Sequence, residues 1–457
     1  MRLNLETIAY DLPQDILRLK YAGDFDQLEK VLDARIANPK ITNALRDRLV
    51  LEKELLPRWE RHFRYNREKA LEIMKNRVEG FTEEEFDACE LAGDMDFIYI
   101  RGEKRYLTSF ASTLCKMHPE FAAREAKKPV DDDGYSLKDY IAEIKEKGEV
   151  AYAYTIKSSL KVEDECFEKG KTYLVHFPVP APCAQQPASE IKVVTDGKVA
   201  APDAFQRTVY WQEKLEENRA FEAEMSYVSR LKYVDPMKDA PHIVYPDALP
   251  VCEDDLSEQY PNIVFTPYLK KLAKEIAGDE TRPLYLARRV YDYITLNVRY
   301  SFMRPYALIE RHAEYCALNM KGDCGIQAIL FITLCRILGI PARWQSGWTV
   351  DIHSTGDHDW AQFYTEEFGW LFADPSYGGS GTRQEDEEKR VFYFGNLDPF
   401  RMIANRRYQT PFELPKQFEN FDPYDNQDGE VETEDHGFYG WSSDFEKDDV
   451  TVRFEKL

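Results

Sequence analysis

KGDCGIQAILFITLCRILGIPAR, residues 321–343, is the stretch on which the reading of this chain turns. After Cys324, apolar residues fall at Ile326, Ile329, Leu330, Leu334, Ile337 and Leu338, the three-and-four spacing of a helix buried along one face. Gly339 and Pro341 supply a stop signal, and Asp323 stands just before the first turn. Cys324 is therefore expected at the N-terminus of a buried helix. Unpaired backbone N–H groups and the positive end of the helix dipole there favour thiolate over thiol. The same N–H groups can donate to an oxyanion formed on an attacked carbonyl.

A nucleophilic thiolate needs a base, and the base needs an orienting group. ARWQSGWTV (342–350) reads as a strand, and after a polar loop the chain continues HDWAQFYTEEFGWLFADPSYG (358–378). His358, Trp360, Gln362 and Tyr364 alternate, EEFG makes a turn, and WLFADP returns as a partner strand ending at Asp374. A hairpin of this length brings Asp374 back beside His358. Asp357 and Asp359 flank the histidine, but alternation turns them away from the site, so no role is assigned to them. His353 is the nearby competitor for His358 and lies in the polar loop.

Gly-Asp-Cys opening an apolar helix, then Leu-Gly-Ile-Pro-Ala-Arg, His-x-Trp and Trp-x-x-x-Asp-Pro resembles the transglutaminase-like superfamily of papain-fold enzymes. The matching positions are Gly322, Cys324, Gly339, Ile340, Pro341, Ala342, Arg343, His358, Trp360, Trp370, Asp374 and Pro375. The resemblance spans roughly 260–380. It implies Cys324 as nucleophile, His358 as general base and later acid, and Asp374 as the group fixing the imidazole tautomer. It also makes Tyr300, and less so Tyr306, a candidate oxyanion donor, against the plainer reading of a core tyrosine. Gln362 departs from the acidic residue common in the family. Trp360 and Gln362 are candidates for the cleft wall, although tryptophans here are as readily core.

Outward from this region the chain reads as a multidomain α+β protein. Residues 1–128 show helical periodicity, with a capping box at Thr82 and Glu85 and a small hairpin in FIYIRGEKRYL. Residues 129–148 read as a linker, with polar AKKPVDDDGYS at 126–136. From 149 to 240 the period changes to two, which suggests a β-sandwich; His176 and Cys183 there are read as structural. The catalytic core, papain-like and transglutaminase-like, is placed at 256–414, with Pro283 near the start of one of its helices. An acidic extension covers 415–457, of which DDVTVRFEKL can close as a strand.

Of 457 residues, 43% are hydrophobic, enough for real cores, and the net charge is −22, spread along the chain. That balance argues against nucleic-acid and anionic-membrane partners, which need clustered Lys and Arg. No signal-peptide pattern or transmembrane run is seen, so a cytoplasmic location is expected. Eight scattered cysteines form no CxxC pair, and no EF-hand run is present, so no metal or cofactor is expected. Cys316 and Cys335 are read as inert. The expected chemistry is thiol-dependent cleavage or transfer at amide bonds of a peptide or protein through a thioester, with hydrolysis favoured. Protein cross-linking and cleavage of a glycan from asparagine stay open, as does a non-catalytic interaction scaffold.

Overall fold

The computed structural model describes residues 5–125, 137–350, 355–418, 425–440 and 444–457. His353 and the polar segment 126–136 lie outside the described residues. The charged N-terminal stretch forms helices Gln14–Ala22, Phe25–Ile36, Asn43–His62, Arg67–Arg77, Glu83–Leu91 and Phe110–Met117. The capping box closes as read: Glu85 N–H donates to Thr82 Oγ1 at 3.2 Å, and Thr82 N–H to Glu85 Oε2 at 2.9 Å. The hairpin Phe97–Ile100 and Glu103–Leu107 gains a third strand, Phe63–Tyr65. Residues 137–147 of the expected linker are instead the helix Leu137–Lys147. Its Tyr140, Ile141 and Ile144 are buried, an apolar stripe that outweighs the polar residues before it.

The period-two region forms most of two four-stranded antiparallel sheets. One runs in the order Glu430–Glu432, Thr172–Pro178, Thr208–Lys214, Lys198–Val199. The other runs Phe445–Lys456, Glu149–Val162, Phe221–Lys232, Ala188–Val193. Trp211 of the first packs on Phe221 of the second, with ring centroids 5.3 Å apart. Each sheet thus takes one edge strand from the C-terminal segment. What reads as an acidic extension is an integral part of both sheets.

The core sheet runs Phe394–Gly395, Gly369–Ala373, Thr355–Thr365, Ala342–Val350, Arg401–Asn405, all antiparallel. Helix Cys324–Ile337 lies against its two middle long strands, with Phe331 and Phe363 ring centroids 5.8 Å apart. Helices Pro283–Asn297 and His312–Asn319 cover it from other sides. Every residue from Gly325 to Arg336 is buried, so the helix is enclosed all round rather than along one face. Of its uncharged polar residues, Gln327 donates Nε2 to Gly322 O at 2.8 Å while its Oε1 has no partner, and Thr333 donates Oγ1 to Ile329 O at 2.7 Å.

The N-terminal helical region is clamped to this core. Arg304 forks onto Asp96 with contacts of 2.9 and 2.6 Å, and Lys321 Nζ donates to Gly93 O at 2.7 Å. Among the described residues no helix is long and apolar enough to cross a membrane.

Candidate active site

Cys324 is the first residue of its helix, as the spacing predicts. The N-cap carboxylate of Asp323 accepts from Ile326 N–H at 3.1 Å and from the Tyr306 hydroxyl at 2.7 Å. A side chain at Gly325 would collide with the Tyr306 hydroxyl and the Asp359 carboxylate, so only glycine lets the strand approach the helix start this closely.

The Thr355–Thr365 and Gly369–Ala373 hairpin keeps strict register, with Ala361 opposite Ala373. His358 Nε2 consequently meets Asp374 Oδ2 at 2.7 Å, both side chains buried. Asp374 Oδ1 is held by Tyr377 N–H and by Ser376 Oγ, each at 3.0 Å. Arg401 places Nη2 3.0 Å from Asp374 Oδ2 and 2.6 Å from Asp398 Oδ2. Its guanidinium also sits 4.3 Å from the Tyr377 ring centroid. Burial works to raise the Asp374 carboxyl, but His358 and Arg401 overcome it and hold it down to about 2. Burial pushes the His358 imidazole below its ordinary value, with Asp374 opposing.

The Cys324 sulfur makes its hydrogen bond to Asp359 rather than to His358. The thiol donates to Asp359 Oδ2 at 3.4 Å, while Asp359 Oδ1 accepts from Gln427 Nε2 at 2.7 Å. Gln427 Nε2 also reaches His358 O at 3.1 Å and Gly347 O at 3.2 Å, tying the C-terminal segment to the end of the strand. Asp359 therefore faces the cysteine, contrary to the expectation that it turns away. The strand does alternate; the helix start lies against the side that carries Asp359. Burial, then Asp359 and Asp323, push the Cys324 thiol well above its ordinary value. Cys324 therefore rests as a thiol despite its place at the helix N-terminus, because burial first and the two carboxylates second disfavour the thiolate. Tyr377 packs on His358 with ring centroids 4.7 Å apart, and burial pushes its hydroxyl up.

Cys324 opens into a cavity of about 620 Å³. Its walls come from three parts of the chain: Arg61, His62 and Tyr65 of the helical region, Tyr300, Phe302 and Asp357 of the core, and Gln427, Asp428 and Tyr439 near the C-terminus. His62 is bonded to the Tyr439 hydroxyl at 2.9 Å, and burial pushes it down to about 4. Tyr300 is among the lining residues, and burial, with Cys324 and Asp323 adding to it, keeps its hydroxyl protonated. Tyr306 also lines the cavity, with its hydroxyl committed to Asp323. His358 and Asp374 sit behind this wall rather than in it.

Trp360 and Gln362, expected at the cleft wall, do not line the cavity. Trp360 is fully buried and donates Nε1 to Gln345 Oε1 at 3.0 Å, and Gln362 Oε1 accepts from Arg343 Nε at 2.8 Å. Both point into the packed side of the sheet that carries His358. Sequence reading also missed Asp359, Arg401 and Gln427. Asp359 stood next to the histidine, but nothing in a single strand tells which side a distant helix will meet. His176 and Cys183 are placed as read: His176 packs on Phe412 with centroids 4.4 Å apart, and burial pushes Cys183 up to about 12.

Residues 270–375 match the family model of the transglutaminase-like superfamily. No curated protein matches the sequence significantly. Among solved structures, a candidate cysteine protease from Cytophaga hutchinsonii aligns at 14% identity and TM-score 0.39, covering 67% of this chain and 92% of that one. The periplasmic domain of TgpA from Pseudomonas aeruginosa aligns at 16% identity and TM-score 0.28, covering 55% of this chain and 94% of that one. Superpositions this loose carry no weight for fold or activity. The family match and the motifs coincide on the same segment, and the chain carries a transglutaminase-like domain over residues 270–375.

Proposed function

We infer that Cys324, His358 and Asp374 act as nucleophile, base and orienting carboxylate in cleavage or transfer at amide bonds of a peptide or protein. The observation that carries this reading is the buried 2.7 Å contact between His358 Nε2 and Asp374. It fixes the tautomer and leaves Nδ1 as the nitrogen that exchanges a proton with the sulfur. The resting pair is then neutral thiol and neutral imidazole. Proton transfer requires the sulfur to leave Asp359, and the helix start and the strand to shift, so that Cys324 reaches His358 Nδ1; the thiolate then attacks the substrate carbonyl.

The N–H groups of the helix's first turn donate to the resulting oxyanion, with the Tyr300 hydroxyl as a further donor from the cavity wall. His358 returns its proton to the leaving amine, giving a thioester on Cys324. Water then releases the acid, or an amine takes the acyl group; hydrolysis is the favoured outcome. Cross-linking of proteins, and cleavage of glycan from asparagine, use the same steps with other acceptors or donors.

One observation favours a second reading, a non-catalytic scaffold: the sulfur is bonded to Asp359 and not to His358. Turnover separates the two. Incubation with a peptide mixture is expected to release products with the unsubstituted protein and none with Cys324→Ala. Equal product release by both proteins, or none from either across a broad library, counts for the scaffold.

A further inference from the structure

Cys89, Asp94 and His118 come from three separate pieces of the N-terminal region: helix Glu83–Leu91, the loop after it, and the junction between helices Phe110–Met117 and Pro119–Ala122. Their ligand-type atoms all lie within 4.8 Å of one another, and it is the cluster of this kind found among the described residues. His118 Nε2 is 2.9 Å from Asp94 Oδ2 and 3.9 Å from Cys89 Sγ. Cys89 and Asp94 are buried, while His118 is partly exposed.

An imidazole nitrogen carries either one proton or one lone pair, directed in the ring plane. One such group cannot serve both an oxygen and a sulfur well, whereas an ion between the three atoms serves all of them. Bonds of about 2.0–2.3 Å to sulfur, nitrogen and oxygen around a tetrahedral ion put the donors roughly 3.3–3.8 Å apart. The observed 2.9 and 3.9 Å, with all three atoms within 4.8 Å of one another, straddle that range, so side-chain shifts of about an ångström bring the donors to it. The opposite ring nitrogen, Nδ1, is 3.1 Å from Glu120 Oε1, the carboxylate partner that commonly orients a ligating histidine.

We propose that Cys89, Asp94 and His118 bind a divalent transition metal of the zinc class, with a fourth position open on the exposed side of His118. Binding releases the Cys89 thiol proton and the proton on His118 Nε2 to solvent, and no electron changes hands. The thiolate and carboxylate together neutralise the ion. Its place in the fold gives it a structural role. Asp94 is ion-paired through Oδ1 with Arg299, next to the cavity-lining Tyr300, and neighbouring Gly93 and Asp96 receive Lys321 and Arg304. The ion thus fastens the loop by which the helical region grips the catalytic domain. No compact sequence motif announces the site, because its ligands are separated by four and twenty-three residues.

The test uses the full chain carrying Cys324→Ala, which removes the cavity thiol bonded to Asp359. After chelation, zinc alone is added, excess is removed by desalting, and bound metal is measured; cobalt then replaces zinc for absorption spectroscopy. The expected result is one tightly bound ion, a thiolate-to-cobalt band, and a higher melting temperature with zinc. Adding Cys89→Ser should cut bound metal at least tenfold and abolish the band. His118→Gln, at a partly exposed position, provides the same test if the serine variant does not fold. Absence of bound metal in the parent, or stoichiometry and spectrum unchanged in the variants, overturns the site.

Discussion

Asp359 holds the proton of the proposed nucleophile, and its carboxylate is one of the groups keeping the thiol protonated. Replacing it by asparagine removes that negative charge and lowers the thiol's pKa. Alkylation of Cys324 by iodoacetamide near pH 7 is therefore expected to speed up by about tenfold, the effect of roughly one pKa unit. An unchanged rate would mean that burial alone sets the thiol. His358→Ala removes the base and should cost about a thousandfold in turnover; it also leaves the buried Asp374 carboxylate without that partner and lowers the melting temperature, so turnover is compared at a temperature where the variant is folded. Asp374 gives a prediction about acid. Its folded carboxyl sits at about 2, below an unfolded value of roughly 4, so its stabilisation is fully present above pH ~4 and is lost as pH falls towards 2. That is about 2 kcal/mol, visible as a flatter stability-against-pH curve for Asp374→Asn in urea titrations below pH 4. At this scale His358 and Asp374 were legible because hairpin length alone brings them together. Asp359 was not, since its role depends on a helix start contributed from outside the strand.

The helices and strands divide in the same way. Helix Cys324–Ile337 was readable from its spacing and stop signals, but its burial on every side was set by helices Pro283–Asn297 and His312–Asn319, which its own sequence does not describe. Helix Leu137–Lys147 was hidden by the polar run before it. Strand Phe445–Lys456 pairs along Glu149–Val162, and Phe454 stacks on Tyr152 with centroids 5.4 Å apart. Its partner lies almost three hundred residues away, so a local reading sees that DDVTVRFEKL can form a strand but not what it pairs with. Ending the chain after residue 440 bares the edge of a long, largely buried strand. The truncated protein is expected to lose cooperative thermal unfolding or to aggregate, as light scattering during a melt would show. A melt like that of the full chain would contradict the pairing.

Across the whole molecule, the cavity before Cys324 is a joint product of the helical region, the core and the C-terminal segment. No single segment encodes it, which is why the transglutaminase-like motifs were readable in the sequence and the cleft walls were not. The clamp between the first two parts is Arg304 on Asp96, with both side chains largely buried. Arg304→Ala strands the carboxylate and should destabilise the protein by about 3 kcal/mol, measured by urea unfolding. Because the clamp positions one wall of the cavity, peptide selectivity should broaden in the same variant.

Covalent acylation of Cys324 is the step on which the proposed chemistry turns, and acid-quenched mass spectrometry during peptide turnover reads it directly. The expected result is a substrate-derived acyl group on Cys324 that forms in the unsubstituted protein and is lost on brief treatment with hydroxylamine. Steady turnover with Cys324 unmodified at every time point, or turnover that survives Cys324→Ala, would contradict it.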